Sequence, residues 1–297
     1  GTSIFEPIAQ IVARPNESNI AGLPNNDAQS LVFDDTNLFE TNKYSGYDRV
    51  EGGVRANIGA QYTFQGANGA YLNLLAGQSY QIAGRNSFAQ GDLANVGLNS
   101  GLDKTRSDFI ARAIVAPGPN FNLTTRARFD EKSFALKRLE VGPTFNVDRL
   151  SGSVLYARYE AQPELGYLTR REGILGSASF KLASNWVVSG SARWDLEANK
   201  LNQYIVGAGY VDDCFVLAAN YVTSYTYSAG LTPPVLNQPT QMKDGPQKGA
   251  VRQFCVVEIG RLATHEKPAK RWQSQQLLAA LEPTKDDLRR FPSIMMV

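Results

Sequence analysis

Three charged residues, Asp48, Arg49 and Glu51, are the side chains best placed for specific chemistry in the N-terminal part of this chain. They lie between Gly46 and a glycine pair at 52–53, directly before an alternating apolar and polar segment. Carboxylates and a guanidinium at such close spacing form charge-assisted hydrogen bonds, which can order a loop. Ordinary glycine turn chemistry is the alternative. The spacing alone favours neither interpretation.

Nucleophilic or metal-assisted catalysis has little support among the other reactive side chains. The chain holds one histidine, His265, and two cysteines, Cys214 and Cys255, which fit no metal-ligand spacing. An activated nucleophile usually needs a base such as histidine, and His265 lies beyond the clearest regular segments. We therefore expect no enzyme activity, no metal and no cofactor. A hydrolase is the alternative, which replacement of His265 would test.

The charge balance and the distribution of apolar residues argue against two broad classes of protein. With 30 basic and 28 acidic residues among 297, the chain has no strong positive field, so we expect no nucleic acid partner. Its longest unbroken apolar run, Cys214 to Ala219, is far shorter than the roughly 20 residues of a transmembrane helix. The first residues lack a charged start followed by an apolar stretch, so export would imply a processed or partial chain.

Most of the chain shows the two-residue alternation of β-strands. In the segment 186–197, Trp186 and Trp194 share an apolar face, whereas Ser191 and Arg193 lie on the polar face. Almost no helical period occurs before about residue 227. The pattern predicts about twelve mostly antiparallel strands, near 4–11, 31–39, 54–64, 70–81, 107–115, 121–129, 138–147, 151–160, 174–182, 186–196, 203–210 and 215–227.

The connections between these segments predict an all-β fold, a partial antiparallel transmembrane β-barrel. Longer links, including 82–106 and 161–171, alternate with tight turns, which lie at 65–69, 116–120, 146–149, 183–185 and 211–213. This alternation is typical of outer-membrane barrels, whereas a soluble sandwich mixes hairpins with long crossovers. Several segments also reach the ~9–11 residues that a tilted strand needs to cross lipid.

A strand of such a barrel has one side toward lipid and one side toward an aqueous lumen. Trp186 and Trp194 would be about 26 Å apart at ~3.3 Å per residue, which suits two interfacial aromatic belts. In a large soluble sandwich, the alternative, they would be core residues. For each lumenal arginine we favour a salt bridge, with Asp130 or Asp195, over contact with phosphate or its hydration water. The predicted lumen-facing set is Arg126, Arg128, Ser189, Ser191, Arg193 and Asp195.

The composition changes after about residue 238. A polar linker follows, and residues 239–297 hold an excess of basic side chains. We predict a barrel region at 1–238 and an atypical, partly helical or disordered tail at 239–297. The tail would contain one strand at 251–262 and a helix that stops at Pro283. Its basic face is more simply a solvated surface than a binding site.

An ordered series of residues runs through the N-terminal third and carries a family resemblance. It consists of Asn25, Asn26, Asp27, Asp34, Asn37, Leu38, Phe39, Ser45, Gly46, Asp48, Arg49 and Glu51. The segments "AGQSYQ" at 76–81, "SGL" at 100–102 and "SDF" at 107–109 continue it. Over about residues 4–230 the chain resembles the barrel of the LptD family, lipopolysaccharide-assembly proteins also called OstA or Imp. The resemblance implies that Asp27, Asn37, Gly46, Asp48, Arg49 and Glu51 form a motif that orders a loop.

The resemblance also implies a function. The chain would be the C-terminal part of the β-barrel in the translocon that inserts lipopolysaccharide into the outer leaflet of the Gram-negative outer membrane. Its partners would be lipopolysaccharide, membrane lipid, an LptE-like lipoprotein plug and an LptA-like periplasmic bridge protein. A general diffusion porin or another outer-membrane barrel is the alternative, and the Ser-Gly-x-Asp-Arg segment at 45–49 argues against it.

The cysteines and the end of the chain limit the resemblance. The family carries a cysteine near Cys214 that pairs with a cysteine of a periplasmic N-terminal domain, so Cys214 is the disulfide candidate. A bond between Cys214 and Cys255 is the alternative. The final stretch does not match the closing strand that usually ends the family's barrel, so the resemblance does not extend to a lateral gate between first and last strands.

Overall fold

Twelve β-strands form the regular structure of the chain, together with one short 3₁₀ helix (Ser87–Ala89). The computed structural model describes residues 1–16, 24–28, 31–90, 96–163, 167–212, 215–226 and 250–261. The strands are β1 (Thr2–Arg14), β2 (Gly53–Gln65), β3 (Tyr71–Ala83), β4 (Phe109–Gly118), β5 (Phe121–Phe129), β6 (Leu136–Val147), β7 (Leu150–Tyr159), β8 (Arg171–Lys181), β9 (Trp186–Asp195), β10 (Lys200–Val211), β11 (Phe215–Thr226) and β12 (Ala250–Arg261). None of the helical structure in these ranges is long and apolar enough to span a membrane.

All twelve strands belong to one sheet in which neighbours in sequence are neighbours in space, from β1 to β12. The pairs with assigned register, such as β1 with β2 and β10 with β11, are antiparallel. An up-and-down order without crossovers is the topology of a barrel wall, not of a Greek-key sandwich. The predicted all-β fold, a partial antiparallel β-barrel of about twelve strands, is confirmed.

One predicted strand is wrong. Residues 31–39 form turns, because short polar side chains bond to the nearby backbone and replace a strand ladder. Asp34 Oδ1 accepts hydrogen bonds from the amide and hydroxyl of Thr36, and Asn37 Oδ1 accepts one from the Asp34 amide. The total is still twelve strands because β12 (Ala250–Arg261) forms where the sequence predicted a strand at 251–262. The predicted boundary at 238 and the predicted tail helix lie outside the described residues.

Every second connection along the sheet is short, and most of the others are longer, although 196–199 has only four residues. The short ones are 66–70, 119–120, 148–149, 182–185 and 212–214, and the longest between described strands of the N-terminal part are 15–52 and 84–108. In an up-and-down sheet every second connection emerges at the same end. The connections 15–52, 84–108 and 130–135 therefore meet at one end of their strands, which we call the long-loop end.

The chain divides into two compact units. The first is built from Gly1–Asn146 and Ser153–Gly173, and the second from Val147–Gly152 and Ile174–Met296. The motif residues and the arginines of β4 to β6 all lie in the first unit. The strands β9, β10 and β11 belong to the second.

In the first unit the sheet covers its polar face and exposes its apolar face. Asn57 of β2 is fully buried, whereas the next residue, Ile58, is 52% exposed. Asn57 donates to Gln10 Oε1 of β1 at 2.7 Å and accepts from Ser79 Oγ of β3 at 2.6 Å, so these polar side chains share one face. We call this covered face the inner face and the exposed apolar face the outer face. The distribution is that of a membrane barrel and the reverse of a soluble sandwich.

The outer face of the first unit carries aromatic pairs near both ends of the strands. Directly opposite residues of neighbouring strands point to the same face. Phe5 pairs with Tyr62, and Phe121 with Phe145, near the short turns, whereas Phe109 pairs with Phe129 at the long-loop end. Alanines lie between these levels, at 60, 76, 111 and 127, opposite one another from β2 to β5. Aromatic girdles around an apolar band are typical of barrels in lipid.

The second unit repeats the arrangement. On β9, Trp186 and Trp194 are 48% and 40% exposed, and the Trp186 ring contacts Tyr210 of β10 edge-on at 5.2 Å. Val206 of β10 is exposed, while its neighbour Ile205, which lies opposite Ser191, is buried. The predicted division of β9 into an apolar and a polar face therefore matches the exposed and covered sides of this unit.

Candidate functional site

Two long connections pack together at the long-loop end of the first unit. They form a small hydrophobic core with the inner face of the sheet, and all its members are buried: Ala28, Phe33, Leu38, Tyr44, Leu75, Phe88, Leu102 and Ile110. The Tyr44 hydroxyl donates to the Ser87 carbonyl at 3.0 Å, which ties the first connection to the second. Gln10 Nε2 donates to the Phe39 carbonyl at 2.9 Å, which ties the first connection to β1. The connection 31–52 is thus held against the wall, and we call it the strap.

The motif residues Asp27, Gly46 and Asp48 join the two ends of the first connection. The Asp27 carboxylate accepts hydrogen bonds from the amides of Tyr47 at 2.7 Å and Asp48 at 3.0 Å. The Asp48 carboxylate in turn accepts one from the Asn26 amide at 2.8 Å. These backbone donors lower the pKa of Asp27 because they stabilise its charged form. A Cβ on Gly46 would overlap the Asp27 side chain, so glycine is required here.

Asn37 and Arg49 hold the backbone on either side of this joint. Asn37 Nδ2 donates to the Val32 carbonyl at 2.7 Å. Arg49 is 2% exposed, and its Nη1 donates to the carbonyls of Pro24 at 3.2 Å and Asp48 at 3.0 Å. Both side chains bind carbonyls of the loop, so they order the backbone of the first connection.

Glu51 lies in a buried cluster of charges beneath the strap. Its carboxylate pairs with Arg55 Nε of β2 and lies 3.7 Å from Lys43 Nζ. All three side chains are nearly inaccessible to water. Burial lowers the pKa of Lys43, while Glu51 acts in the opposite direction. The Arg55 guanidinium also lies 5.2 Å from the ring centroid of Phe88, which links this cluster to the hydrophobic core.

Four arginines form a continuous cluster on the inner face of β4, β5 and β6. Arg112 of β4 lies directly opposite Arg126 of β5, and Arg128 lies directly opposite Arg138 of β6. Like charges directly opposite each other lower the stability of a sheet, so these arginines need anionic partners. We call these four residues the arginine cluster.

The first arginine pair is bridged by a carboxylate of the strap. Asp35 Oδ2 accepts from Arg112 Nη1 at 2.9 Å, and Asp35 Oδ1 accepts from Arg126 Nε at 2.8 Å. Arg112 Nη2 also donates to Asn73 Oδ1 of β3 at 2.6 Å. The Asp35 carboxylate is 1% exposed, whereas the Arg126 side chain is 36% exposed.

In the second arginine pair, Arg128 is held by the other long connection and Arg138 by a carboxylate of β6. Arg128 Nε lies 3.3 Å from Asp108, and Arg128 Nη1 donates to the Ser100 carbonyl. The partner is thus Asp108 and not Asp130, which the sequence suggested. Burial raises the pKa of Asp108, although Arg128 acts in the opposite direction. Arg138 bonds to Glu140 at 2.5 Å, and the Tyr159 hydroxyl donates to the same carboxylate at 2.5 Å.

Asp130 instead organises the connection between β5 and β6. Its carboxylate accepts hydrogen bonds from the amides of Lys132 at 3.1 Å and Ser133 at 3.0 Å, and from the Ser133 hydroxyl at 2.9 Å. These bonds hold the pKa of Asp130 well below its usual range. Lys104 and Lys137 lie within 3.8 Å of it on the same end of the wall.

The other predicted inner-face residues lie on β9 in the second unit, and among its described residues they do not form a charged cluster like that of the first unit. Ser189, Ser191 and Arg193 lie opposite Gly207, Ile205 and Gln203 of β10. Within the described part of the chain no carboxylate pairs with Arg193. Asp195 accepts from the Ala198 amide at 2.8 Å and so caps the turn after β9. Cys214 lies outside the described residues, and its disulfide remains a prediction.

Sequence reasoning missed the residues that complete the arginine cluster. Arg138 occupies a polar position of an alternating segment, as Arg126 and Arg128 do, so the same signal was present for it. Arg112 lies between Ile110 and Ile114 on its face, so alternation gave no signal there. The Asp35 partner had no local signal, because it is separated from Arg112 by 77 residues in sequence. Among the described residues no group of His, Cys, Asp or Glu is arranged to hold a metal ion.

The fold and the inner face together define the wall of an outer-membrane type of β-barrel, with an apolar outer face, aromatic pairs at both ends and a charged interior. Residues 1–186 match the sequence model of LptD, LPS transport system D, and the chain belongs to this family. The family is a transport family of the outer membrane, and its members take part in lipopolysaccharide transport. Family membership therefore places this chain in that process. No curated protein matches the chain.

Proposed function

We propose that the chain forms part of the wall of the translocon that inserts lipopolysaccharide into the outer leaflet of the outer membrane. The observation that carries this proposal is the arginine cluster on the inner face, covered by a strap that is itself well ordered. In this proposal the chain corresponds to the C-terminal part of the family's barrel. Its inner face lines the path of the sugar portion, and its outer face contacts membrane lipid.

The chemistry of the cluster suits a phosphorylated glycan. Arginine binds phosphate oxygens through a planar fork of donors and keeps its charge at any physiological pH. Arg112, Arg126, Arg128 and Arg138 lie on adjacent strands. Arg126, whose side chain is 36% exposed, is the donor that an anionic sugar would meet first. The wall performs no bond chemistry in this account: it guides and shields a charged headgroup, so the protein is not an enzyme.

A general diffusion porin is the second candidate, since it shares the barrel fold and a charged interior. The strap argues against it, because in the first unit the inner face is packed against Phe33, Leu38 and Asp35. Porins keep a water-filled channel, whereas interiors filled by loops are found in other barrels. We further propose, from family membership, that the chain lies in the outer membrane of a Gram-negative cell. Its proposed protein partners are an LptE-like plug and an LptA-like bridge protein.

A comparison of lipopolysaccharide delivery with ion conductance tests the proposed function. In cells with one copy of the gene, the variant R112Q/R126Q/R128Q should reduce arrival of newly made lipopolysaccharide at the cell surface at least several-fold. The matched control is R149Q, in the exposed turn between β6 and β7. The amount of folded barrel in the membrane is measured for both, so that loss of protein is separated from loss of transport.

The two candidates differ in the expected result. A translocon loses lipopolysaccharide delivery in the triple variant while the folded barrel persists. A porin would show unchanged delivery in the triple variant, with an altered ion selectivity of the reconstituted barrel as the only effect. Normal delivery by the folded triple variant would contradict the proposed function.

A further inference from the structure

The Asp35 carboxylate occupies an unusual position for an acidic loop residue. It is almost fully buried, and it bridges two wall arginines that face each other across β4 and β5. The carboxylate therefore belongs to the strap while both of its cationic partners belong to the sheet. Any movement of the strap away from the wall would leave Arg112 and Arg126 as adjacent unneutralised charges.

The carboxylate does not satisfy the donors that surround it. Arg112 Nη1 bonds to Asp35 and Arg112 Nη2 bonds to Asn73, but Arg112 Nε is buried and has no hydrogen-bond partner. A buried donor without an acceptor lowers stability by about 1–3 kcal/mol. The carboxylate, placed between Arg112 Nη1 and Arg126 Nε, thus leaves Arg112 Nε without an acceptor.

We propose that Arg112, oriented by Asn73, and Arg126 form a binding site for a phosphate group, and that Asp35 occupies it as an internal substitute until a phosphorylated ligand displaces it. A phosphate group carries roughly −1.5 to −2 charge at pH 7 and offers three acceptor oxygens, one more than a carboxylate. It can therefore neutralise both arginines and also accept a bond from Arg112 Nε. This inference rests on the proposed function, because lipopolysaccharide transport brings phosphorylated sugars to the inner face.

Displacement of Asp35 would release the strap. Residues 31–39 hold their turns through local bonds of Asp34 and Asn37, so this segment can leave the wall as a unit. Its other contacts with the wall re-form when the ligand leaves and give it a defined position to which it returns. These are the bond from Gln10 to the Phe39 carbonyl, the Asp34–Arg138 pair at 3.9 Å and the buried packing of Phe33 and Leu38. The tethered carboxylate competes at an effective concentration of roughly millimolar. Neutral sugars do not displace it, because they bring no charge to neutralise the two arginines.

Neighbouring charges support the choice of this pair over the rest of the cluster. Glu140 lies opposite Arg126 in register, but its carboxylate is already bonded to Arg138 and Tyr159. Arg128 is enclosed by Asp108 and by loop carbonyls, and only 8% of it is exposed. Three arginines of β4 and β5 pair with loop carboxylates, and Arg126 is the most exposed of them. A ligand would therefore reach the site through Arg126.

Ligand titration of a variant that lacks the internal carboxylate tests the site. The variant D35N keeps the shape of the side chain and removes its charge, and D148N, in the exposed β6–β7 turn, is the control for net charge. In detergent, D35N should bind glucose 6-phosphate at least about tenfold more tightly than wild type. In wild type Asp35 occupies the site for most of the time, which lowers the apparent affinity for the ligand. D148N should bind as wild type does. Equal affinities of D35N and D148N would overturn the proposal.

Hydrogen exchange of the wild-type chain gives a second test that needs no variant. Saturating glucose 6-phosphate should increase exchange in residues 31–52, and glucose at the same concentration should have no effect. An equal effect of inorganic phosphate supports a site for phosphate itself, and an effect of glucose 6-phosphate alone supports a site for phosphorylated sugar. Unchanged exchange with both phosphate ligands would contradict the proposal. A third outcome separates the two proposals. If the ligand releases the strap but lipopolysaccharide delivery does not depend on the arginines, only the proposed function is contradicted.

Discussion

Arg112 and Arg126 lie directly opposite each other on β4 and β5, and the Asp35 carboxylate is the group that joins them. A like-charged pair at this position lowers the stability of the sheet unless an anion lies between its members. The wall and the strap are therefore linked energetically, and the stability of the barrel depends on a loop residue.

The first prediction concerns the loss of that anion. We expect D35N to lower the free energy of unfolding by about 1–3 kcal/mol. Loss of one partner of a fully buried ion pair lowers it by roughly 3–5 kcal/mol, and the effect is smaller here because Arg126 is partly hydrated. Urea unfolding of the chain from lipid vesicles measures the difference. The control D148N should change stability by less than about 0.5 kcal/mol. Equal stability of D35N and D148N would mean that the arginine pair does not need the strap.

The second prediction compares two carboxylates that each pair with two cations. Glu51 lies between buried Lys43 and buried Arg55, whereas Glu131 lies between Lys104 and Lys132, which are 47% and 84% exposed. E51Q should destabilise the chain by about 3–5 kcal/mol, since it leaves two buried cations without an anion. E131Q should lower stability by less than about 1 kcal/mol because water solvates its partners. Similar losses in the same urea experiment would contradict the assignment of Glu51 to a buried cluster.

The third prediction concerns acid. The pKa of Asp130 in the folded protein lies below its ordinary value of 3.8, so its charged form is favoured by folding. Its contribution is therefore fully present above pH 3.8 and is lost as the pH falls through the lowered folded value. The stability difference between wild type and D130N should be larger at pH 6 than at pH 2. A difference that stays constant between these two pH values would show that the amide bonds of Lys132 and Ser133 do not select the charged carboxylate.

The fourth prediction concerns the glycine of the loop motif. A Cβ at Gly46 would overlap Asp27, whereas a Cβ at Gly118 in β4 would have no neighbour within 4 Å. G46A should therefore break the joint between Asp27 and the amides of Tyr47 and Asp48, and limited proteolysis should cleave the strap at least several-fold faster. G118A should be cleaved at the wild-type rate. Equal cleavage of both variants would mean that this joint does not order the strap.

The fifth prediction tests the assignment of the outer face to lipid. Ile58 in the middle of β2 and Val206 in the middle of β10 are both more than half exposed. Replacement of either by arginine should destabilise the vesicle-inserted chain by about 2–4 kcal/mol, the loss expected near the bilayer midplane. The conservative variants I58L and V206L are the controls. Arginine variants as stable as the controls would exclude a lipid environment for these positions.

The sequence predicted the strands well where alternation is regular and failed where local polar bonds override it. The bounds of β5 were predicted as observed, because apolar and polar residues alternate throughout 121–129. Residues 31–39 do not alternate in this way: two apolar runs flank four polar residues, and Asp34 and Asn37 bond to the nearby backbone and turn the chain. Periodicity records burial on one face and contains no information about such bonds.

The site was less predictable than the fold. Arg126 and Arg128 were identified from their polar face, but their partners Asp35 and Asp108 come from loops that meet only in three dimensions. The motif around Gly46 was recognisable through family resemblance, while its contacts with Asp27 required the structure. Long-range ion pairs depend on how loops fold over the sheet, and residue spacing does not encode that.

Site-specific photocrosslinking in living cells tests the central claim most directly. Asn122 and Leu123 are adjacent on β5 near its short turn, and their side chains point to the inner and outer face respectively. With a photoreactive amino acid at each position in turn, position 122 should crosslink to lipopolysaccharide, and position 123 should crosslink to other membrane components. The crosslink at 122 should disappear when lipopolysaccharide synthesis is stopped. No lipopolysaccharide crosslink at position 122, with the barrel folded in the membrane, would contradict a role of this wall in lipopolysaccharide transport.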